Sequence, residues 1–354
     1  MKLGIAVNDI NTELADYTTA HFAMEATNLG HQVWYINVSN FIYDPDENVH
    51  AHACSVPNSE HNKHFRSTAT YLNALRGKTV KKERITIENL DVLLLRNDPA
   101  EDVIERPWAR LAGINFGRLA MRHDVIVLND PNGLAQAVNK MYLQYFPEQV
   151  RPRTLISRNR DDIKHFIKEQ GGFAVLKPLA GSGGRNVFLI DPHEKANTNQ
   201  IIDAVFQEGY LIAQEYLPEA AKGDTRLFLM NGKPLQSKGH YAAIRRVRET
   251  EDGDMRSNMT AGAVARKAYV TDSMLRLAEI VRPKLIQDGM FFVGMDIVGE
   301  KLMEINVFSP GGIDSTSQIE GVNFSREVIH SLEHKVDAMR RYHRPFDNVE
   351  LATL

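Results

Sequence analysis

The chain has 354 residues, of which 43% are hydrophobic and 25% charged, proportions that suit a globular protein of two or three domains. A formal net charge of −3 without any densely basic segment argues against nucleic acid as a main partner. With one cysteine, no signal-peptide pattern and no run of about 18 apolar residues, we expect a cytoplasmic protein without disulfides and without a membrane partner.

The first 130 residues have the rhythm of an α/β domain. Apolar runs at 3–7 and 33–38 predict strands, and 20–29 predicts a helix between them. This β-α-β order implies a parallel sheet, although no glycine fingerprint for a dinucleotide follows the first strand. Residues 50–64 contain four histidines and Cys54, but their spacing fits no zinc pattern, and we expect a solvated loop.

A charged motif follows the next predicted strand, 91–95. Arg96-Asn97-Asp98-Pro99 would lie at the carboxyl end of a parallel strand, where open α/β sheets bind ligands. A strand-ending turn rich in Asp and Pro explains the same residues without a ligand. We expect the domain to close with a strand at 125–128 and a turn.

Two lysines and a glycine-rich loop come next. A helix is predicted at 134–145, where Lys140 could equally face solvent or a ligand. Residues 173–190 predict two strands around Gly181-Ser182-Gly183-Gly184, with Lys177 ending the first strand. The backbone amides of such a loop can wrap phosphates, but the loop lacks the features of a Walker motif, and a plain flexible turn is the alternative.

The segment 211–217 predicts a strand that ends in Gln214-Glu215-Tyr216-Leu217. Backbone groups and apolar side chains at such a strand end can bind the edge and cover the ring of an adenine. A strand at 224–230 follows, and Asn231-Gly232 is a strong hairpin signal.

A charged stretch then precedes two predicted helices. Its guanidinium groups could bind phosphate or carboxylate as part of a lid, or the stretch could be a solvent-exposed loop; they belong to Arg245, Arg246, Arg248 and Arg256. A helix capped by Thr271 or Asp272 is predicted next, then a final helix at 325–342 and a peripheral tail.

Residues 291–310, FFVGMDIVGEKLMEINVFSP, predict a β-hairpin between these two helices. Its strands are 292–298 and 302–308, and Gly299-Glu300-Lys301 forms the turn. If all three turn residues form the loop, Val298 faces Leu302.

The same register brings three oxygen-bearing side chains together. Asp296 then faces Glu304, and Asn306 falls on the same face. Two facing carboxylates and an amide among apolar residues call for a cation, and oxygen ligands favour Mg²⁺ or Mn²⁺. A hairpin with a polar outer face is the alternative, and a two-residue loop would place Asp296 and Glu304 on opposite faces.

The order of these features resembles the ATP-grasp superfamily, and within it the bacterial glutathione synthetases, over nearly the whole chain. The most specific pieces are Arg96-Asn97-Asp98-Pro99, Asn129-Asp130-Pro131 with Lys140, Leu176-Lys177-Pro178-Leu179 with Gly183-Gly184, Gln214-Glu215-Tyr216-Leu217-Pro218, and Phe292-Val293-Gly294-Met295-Asp296-Ile297 with Glu304-Ile305-Asn306-Val307. The resemblance implies an ATP-grasp fold of α/β and α+β class. Its divisions would be an N-terminal parallel-sheet domain at 1–128, a central lobe with the glycine-rich loop at 129–209, a C-terminal lobe with the metal site at 210–345, and a tail at 346–354.

The resemblance also implies an ATP-dependent ligase that joins a carboxylate to an amine through an acyl phosphate. Its cofactors would be ATP and two Mg²⁺ ions, with Mn²⁺ as a substitute, and its substrates a γ-glutamyl dipeptide or amino acid and an acceptor amine. The implied site comprises Lys140, Lys177, Gly181, Ser182, Gly183 and Gly184 at the phosphates, Gln214, Glu215, Tyr216 and Leu217 at the adenine, Asp296, Glu304 and Asn306 at the metals, and Arg256 and Arg226 at the acyl phosphate. An assembly of identical subunits is implied as well.

This chain departs from the glutathione synthetase pattern on the substrate side. Pro99-Ala100 stands where the family has two prolines, and residues 309–314 lack the family's arginine and glutamate. Three hypotheses follow: a glutathione synthetase, a related amino-acid or peptide ligase with another acceptor amine, and a nucleotide-binding regulator without turnover.

Overall fold

The computed structural model describes residues 1–57, 64–103, 105–181, 186–193, 197–247, 263–342 and 346–354. Within these ranges the chain forms three large β-sheets and one short two-stranded sheet. None of the helices described is both long and apolar enough to cross a membrane.

The first sheet has a parallel centre. Its elements in chain order are β1 (Lys2–Val7), α1 (Thr18–Asn28), β2 (Gln32–Tyr43), β3 (Val49–Ser55), α2 (Thr68–Arg76), β4 (Lys81–Thr86), β5 (Val92–Leu95), α3 (Ala112–Met121) and β6 (Ile126–Leu128). The strand order is β4-β3-β2-β1-β5-β6, with parallel pairing from β2 through β6 and antiparallel pairing at β3 and β4. The predicted parallel sheet is therefore confirmed, and β5 is buried along its whole length, as central parallel strands are.

The prediction of a solvated loop at 50–64 is wrong for residues 50–55, because these residues belong to β3 (Val49–Ser55). Val49, Ala51 and Ala53 are buried, whereas His50 and His52 lie on the other face. Alanine is a weak strand signal, so pairing with β2 and β4 on both sides decides the conformation.

Two short helices replace the single helix predicted at 134–145. These are α4 (Pro131–Gln136) and a 3-10 helix (Lys140–Tyr145). Asn139 separates them, because its side chain accepts a hydrogen bond from the Met141 amide at 2.9 Å and so starts a new helical turn. Lys140 consequently begins that turn, and its backbone N–H donates to Leu179 O at 3.0 Å.

The second sheet is antiparallel throughout. The elements of its region, in chain order, are β7 (Thr154–Ser157), α5 (Arg160–Glu169), β8 (Ala174–Pro178), β9 (Phe188–Ile190), α6 (Thr198–Phe206) and β10 (Leu211–Gln214). The strand order is β7-β10-β8-β9, and Ile212 of β10 pairs with Lys177 of β8. This pairing places Lys177 and Gln214 on neighbouring strands.

The third sheet has the order β16-β15-β11-β17-β18. Its region contains β11 (Asp224–Met230), β12 (Lys233–Pro234), β13 (Gln236–Ser237), β14 (His240–Tyr241), β15 (Ala243–Val247), β16 (Val264–Lys267), α7 (Asp272–Gln287), β17 (Phe292–Val298), β18 (Lys301–Asn306), α8 (Ile313–Glu320), α9 (Phe324–Tyr342) and α10 (Asn348–Thr353). The predicted Asn231-Gly232 turn joins β11 to β12, with both residues at positive φ. Thr271 caps α7 by accepting a hydrogen bond from the Met274 amide.

The prediction of a peripheral tail is wrong, because residues 346–354 contain the buried helix α10 (Asn348–Thr353). Leu351 is 2% exposed. Asn348 accepts a hydrogen bond from Val127 N (2.9 Å) and donates one to Val127 O (2.7 Å), so it completes the edge of β6. Nine residues are too few to show a periodicity, and their partners come from a strand some 220 residues earlier in the chain.

The first and third sheets share their apolar interior. Phe22 of α1 meets Phe292 of β17 edge to face, with ring centroids 5.2 Å apart, and both belong to one continuous cluster of buried side chains. The second sheet has a separate cluster around Leu176, Ile202 and Leu211. The second sheet therefore forms a small lobe with its own core, and the first and third sheets form a larger unit.

Candidate active site

The β17–β18 hairpin brings the predicted acidic pair together by an unexpected route. Val298 pairs with Lys301, not with Leu302, so the predicted three-residue loop is wrong. A two-residue loop would separate Asp296 from Glu304, but a β-bulge after Asp296 shifts the register and restores their pairing. Side chains on a strand alternate, and one extra residue therefore reverses which of them share a face.

Asp296 lies inside a network of side-chain donors. Arg226 donates to both of its oxygens at 2.7 Å, and Arg246 approaches Oδ2 at 2.9 Å. Asn306 also donates to Oδ2, at 3.1 Å. Burial raises the pKa of Asp296, but the two guanidinium groups lower it by more, and the carboxylate stays ionised. Much of the compensating charge that the sequence led us to expect from a metal is thus supplied by arginines.

Arg226, predicted beside the acyl phosphate, lies next to the hairpin and contacts two segments. Besides its bidentate pair with Asp296, it donates to Gly311 O at 3.0 Å. Its guanidinium therefore holds the chain just after β18 against β17. Arg256, the other predicted arginine, lies outside the described residues.

An open cleft lies beside the hairpin, between the second and third sheets and the carboxyl end of β5. It brings together residues that lie far apart in the chain. The predicted site residues that line it are Lys140, Lys177, Gly181, Gln214, Glu304 and Asn306. The convergence of lysines, a glycine and oxygen donors makes it the candidate active site.

The two lysines meet in this cleft. Lys177 donates to Gln214 Oε1 at 2.9 Å, and Lys140 donates to Gly181 O. Lys140 Nζ also lies 3.8 Å from Glu304 Oε1. Burial lowers the pKa of Lys177 to about 8, with a smaller contribution from the charge of Lys140, while Glu304 acts in the opposite sense. An anion in the cleft would restore the charged form of Lys177.

The strand end at 214–217 is only partly in the cleft. Gln214 is fully buried and lines it, whereas Glu215 uses its carboxylate to accept from the Arg153 amide at 3.0 Å. Tyr216 stacks on Phe173, and Leu217 is 9% exposed. The predicted loop residues Ser182, Gly183 and Gly184 lie outside the described residues.

Several residues that line the cleft were not among the site residues predicted from the sequence: Asp98, Pro99, Ala100, Asn139, Gln144 and Ser309. The Arg-Asn-Asp-Pro motif was the signal that could have added Asp98. Within that motif Arg96 is structural, since its buried guanidinium donates to Phe308 O and Pro310 O at 3.4 and 3.3 Å. Asp98 and Pro99 are the members of the motif that line the cleft, and Asp98 is the charged one.

The residues at the hairpin suit a divalent cation in their chemistry. Glu304 is half-exposed to the cleft, and Asn306 uses its Nδ2 as a donor, which leaves its carbonyl oxygen free for a ligand. Asp296 would have to exchange an arginine contact for the ion. Elsewhere in the described ranges, Asp44, Asp46 and His50 form a ligand-like group, but Arg84 already pairs with Asp44.

Comparison with known proteins settles the family. Residues 1–135 match the model of the prokaryotic glutathione synthetase N-terminal domain, and residues 139–321 match that of the prokaryotic glutathione synthetase ATP-grasp domain. The chain belongs to the prokaryotic glutathione synthetase family. It is therefore an ATP-dependent ligase with the ATP-grasp fold.

Relatives and solved structures agree with this family. The glutathione synthetase of Gloeobacter violaceus is 33% identical over 350 residues, 98% of each chain. That of Synechococcus elongatus is 39% identical over 213 residues, 60% of this chain and 62% of the relative. D-cycloserine synthetase DcsG has the same fold, with a TM-score of 0.61 at 13% identity over 93% of this chain and 99% of that one. The ATP-grasp ligase PsnB superposes with a TM-score of 0.59 at 15% identity over 94% and 98%.

Proposed function

We propose that this family member synthesises glutathione by joining γ-glutamylcysteine to glycine at the expense of ATP. The observation that carries the proposal is the cleft, which gathers two lysines, Gln214 and the Glu304–Asn306 pair beside residues of the first sheet. In an acyl-phosphate mechanism the cysteinyl carboxylate attacks the γ-phosphorus and ADP leaves. Glycine nitrogen, having lost a proton to water, then attacks the acyl carbon, and the C–O bond to phosphate breaks. Such chemistry asks the protein mainly for positioning and charge neutralisation.

The lysines supply the positive charge on the nucleotide side. Lys140 and Lys177 would bind the phosphates, together with Gly181, Ser182, Gly183 and Gly184 of the glycine-rich loop. An adenine would lie against Gln214, Glu215, Tyr216 and Leu217, where β10 ends. Because Lys177 is buried against Gln214, its ammonium is preorganised toward the cleft.

Divalent cations would lie at the hairpin. Asp296, Glu304 and Asn306 would hold two Mg²⁺ ions, or Mn²⁺, which neutralise phosphate charge when bound. Arg226 keeps Asp296 and Gly311 in register for this role, since it contacts both. We retain Arg256 as a candidate partner of the acyl phosphate.

The division into lobes is part of the proposal. The boundaries are 1–128, 129–214 and 215–345. The central lobe is extended to include β10, which lies between β7 and β8, and the last lobe is extended to include α10. Closure of the central lobe over the nucleotide would be eased by its separate core. We also propose that the enzyme works as an assembly of identical subunits.

One assay tests the substrates. ADP release is measured with Mg²⁺, ATP and γ-glutamylcysteine, with and without glycine, and the product is identified by mass spectrometry. Glycine-dependent release of ADP with formation of glutathione is the expected result. Release that depends on another amino acid would assign a different acceptor, which the divergent 309–314 segment makes the second candidate. Binding of ATP without turnover would refute both.

A further inference from the structure

Asp98 is the charged side chain that the first sheet contributes to the cleft, among the residues described. It is the third residue after the end of β5, and its neighbours Pro99 and Ala100 line the same wall. The lysines and the proposed metal ligands all come from residues 140–306, outside the first sheet. Asp98 therefore belongs to a wall that the nucleotide-binding groups do not form.

The protein fixes Asp98 rigidly. The Asn8 side chain accepts a hydrogen bond from Asp98 N (2.7 Å) and donates one to Asp98 O (2.9 Å), so the backbone is held from both sides. Ala100 N donates to Oδ1 at 2.9 Å. Asn8 is itself held by buried Asp102, at 2.8 Å. In the described part of the chain, Oδ2 of Asp98 makes no hydrogen bond and forms no ion pair.

Among the residues described, no lysine or arginine forms an ion pair with this carboxylate. Lys140 is committed to Gly181 O and lies near Glu304, and Lys177 is committed to Gln214. Burial raises the pKa of Asp98, and the charge of Glu304 adds to this more weakly, while Lys140 opposes it. A fixed negative charge would repel a triphosphate and an acyl phosphate, so its natural partner in the cleft is a cationic group.

We infer that Asp98 binds the ammonium group of the acceptor amino acid and holds it beside the carboxylate that ATP activates. This inference rests on the proposed function, because a ligase of this kind brings an amine to an acyl phosphate. The acceptor's ammonium is the substrate cation that must come next to the reacting carbon. Asp98, Lys140 and Glu304 line the same cleft, so Asp98 faces the space that the phosphates would share with the acceptor.

The test compares two acceptors in the full-length enzyme. Glycine carries an ammonium group at neutral pH, whereas hydroxylamine is uncharged and traps acyl phosphates as hydroxamates. In Asp98→Asn we expect KM for glycine to rise by about 10- to 100-fold, the loss typical of one charge-assisted hydrogen bond. Hydroxamate formation and KM for ATP should change less than about threefold, because neither hydroxylamine nor ATP brings an ammonium group to Asp98.

The matched control is Glu101→Gln, which removes an exposed carboxylate from the same loop and should change neither reaction. An unchanged KM for glycine in Asp98→Asn would overturn the inference and leave glutathione synthesis standing. Loss of both reactions, with a raised Mg²⁺ requirement, would also overturn it and make Asp98 a metal ligand. If the wild type uses another amino acid, the comparison is made with that acceptor. If it uses none, both proposals fail.

Discussion

Lys177 shows how a single residue can link burial to ligand affinity. Its ammonium is held by Gln214 in the wall of the cleft, and burial lowers its pKa to about 8. An anion bound beside Lys177 would raise this pKa and favour the protonated ammonium form. Affinity for ATP should therefore depend on whether this one group is protonated.

We predict that MgATP binding weakens as pH rises above about 8. The ammonium form predominates below that pKa, and each further pH unit costs up to about tenfold in its population. Calorimetric titration between about pH 7 and pH 9.5 measures this. Lys177→Arg, which stays charged, should bind with a flatter pH profile, and Lys177→Met should bind weakly at every pH. A wild-type affinity that does not change across this range would contradict the assignment.

Glu304 separates the function of the hairpin from its stability. Its carboxylate is 41% exposed, and its ion pair with Lys140 is long at 3.8 Å. Such pairs stabilise a fold by about 0–1 kcal/mol. Charge placed at the phosphates, by contrast, acts directly on the transition state.

We therefore predict that Glu304→Gln lowers kcat by about 100-fold or more, the loss typical of one electrostatic group. The melting temperature should stay within about 2 °C of the wild type, because little stability is lost. ADP release and thermal unfolding are measured side by side. Glu300→Gln, in the exposed turn of the same hairpin, is the control. Full activity in Glu304→Gln would remove this residue from the site.

At the scale of elements, a buried charge network joins β15, β11 and β17. Arg246 of β15 donates to Asp224 of β11 through Nε at 3.0 Å and approaches Asp296 of β17 at 2.9 Å. Burial lowers the pKa of Arg246, but the carboxylates of Asp296 and Asp224 raise it by more. The three strands are thus linked by buried charges, and burying any one of these charges without its partners would be unfavourable.

We predict that Arg246→Met destabilises the protein by about 3–5 kcal/mol, because it removes the guanidinium group that two buried carboxylates share. The pKa of Asp296 is lowered in the folded state, so this carboxylate stabilises the fold above its unfolded pKa and ceases to do so as pH falls. Losing Arg246 should accordingly move acid unfolding to higher pH.

Urea unfolding at several pH values tests this prediction. Arg245→Met is the control, since Arg245 is only partly buried and, among the described residues, its side chain donates to Lys222 O at 2.9 Å. Its effect should lie within about 0.5 kcal/mol, as for most surface positions. Equal effects of the two substitutions would show that the network is not a cross-link.

At the scale of the whole molecule, the distribution of cores sets what moves. The first and third sheets share apolar clusters that include Phe22, Phe292 and α9, whereas the second sheet has its own cluster. Elements that share a hydrophobic core are expected to unfold together, because opening one of them exposes the core of the other. The central lobe should therefore be able to open by itself.

We predict that hydrogen exchange in residues 154–214 reports a lower opening free energy than exchange in β1, β5 and β17, which should exchange together. MgATP should slow exchange in the central lobe most, because ligand binding stabilises the closed state. Exchange measured by mass spectrometry, with and without nucleotide, checks both points. Independent exchange of β5 and β17 would refute the shared core.

Local pattern in the sequence was enough for much of this architecture. The β-α-β order at the start predicted a parallel sheet, Asn231-Gly232 predicted its hairpin, and the motif order predicted the ATP-grasp fold. These features depend on residues close together in the chain or on a motif whose spacing is itself the signal. Asp296 opposite Glu304 was also correct, although the loop that was supposed to produce it was not.

What remained was decided by contacts between distant segments. The bulge in β17–β18, the strand at Val49–Ser55 and the buried helix α10 each depend on partners that local propensity does not contain. The same is true of Asp296, whose charge is met by Arg226 and Arg246 from neighbouring strands. A sequence states which groups need a partner, but only the packed chain determines which partner is near enough to satisfy them.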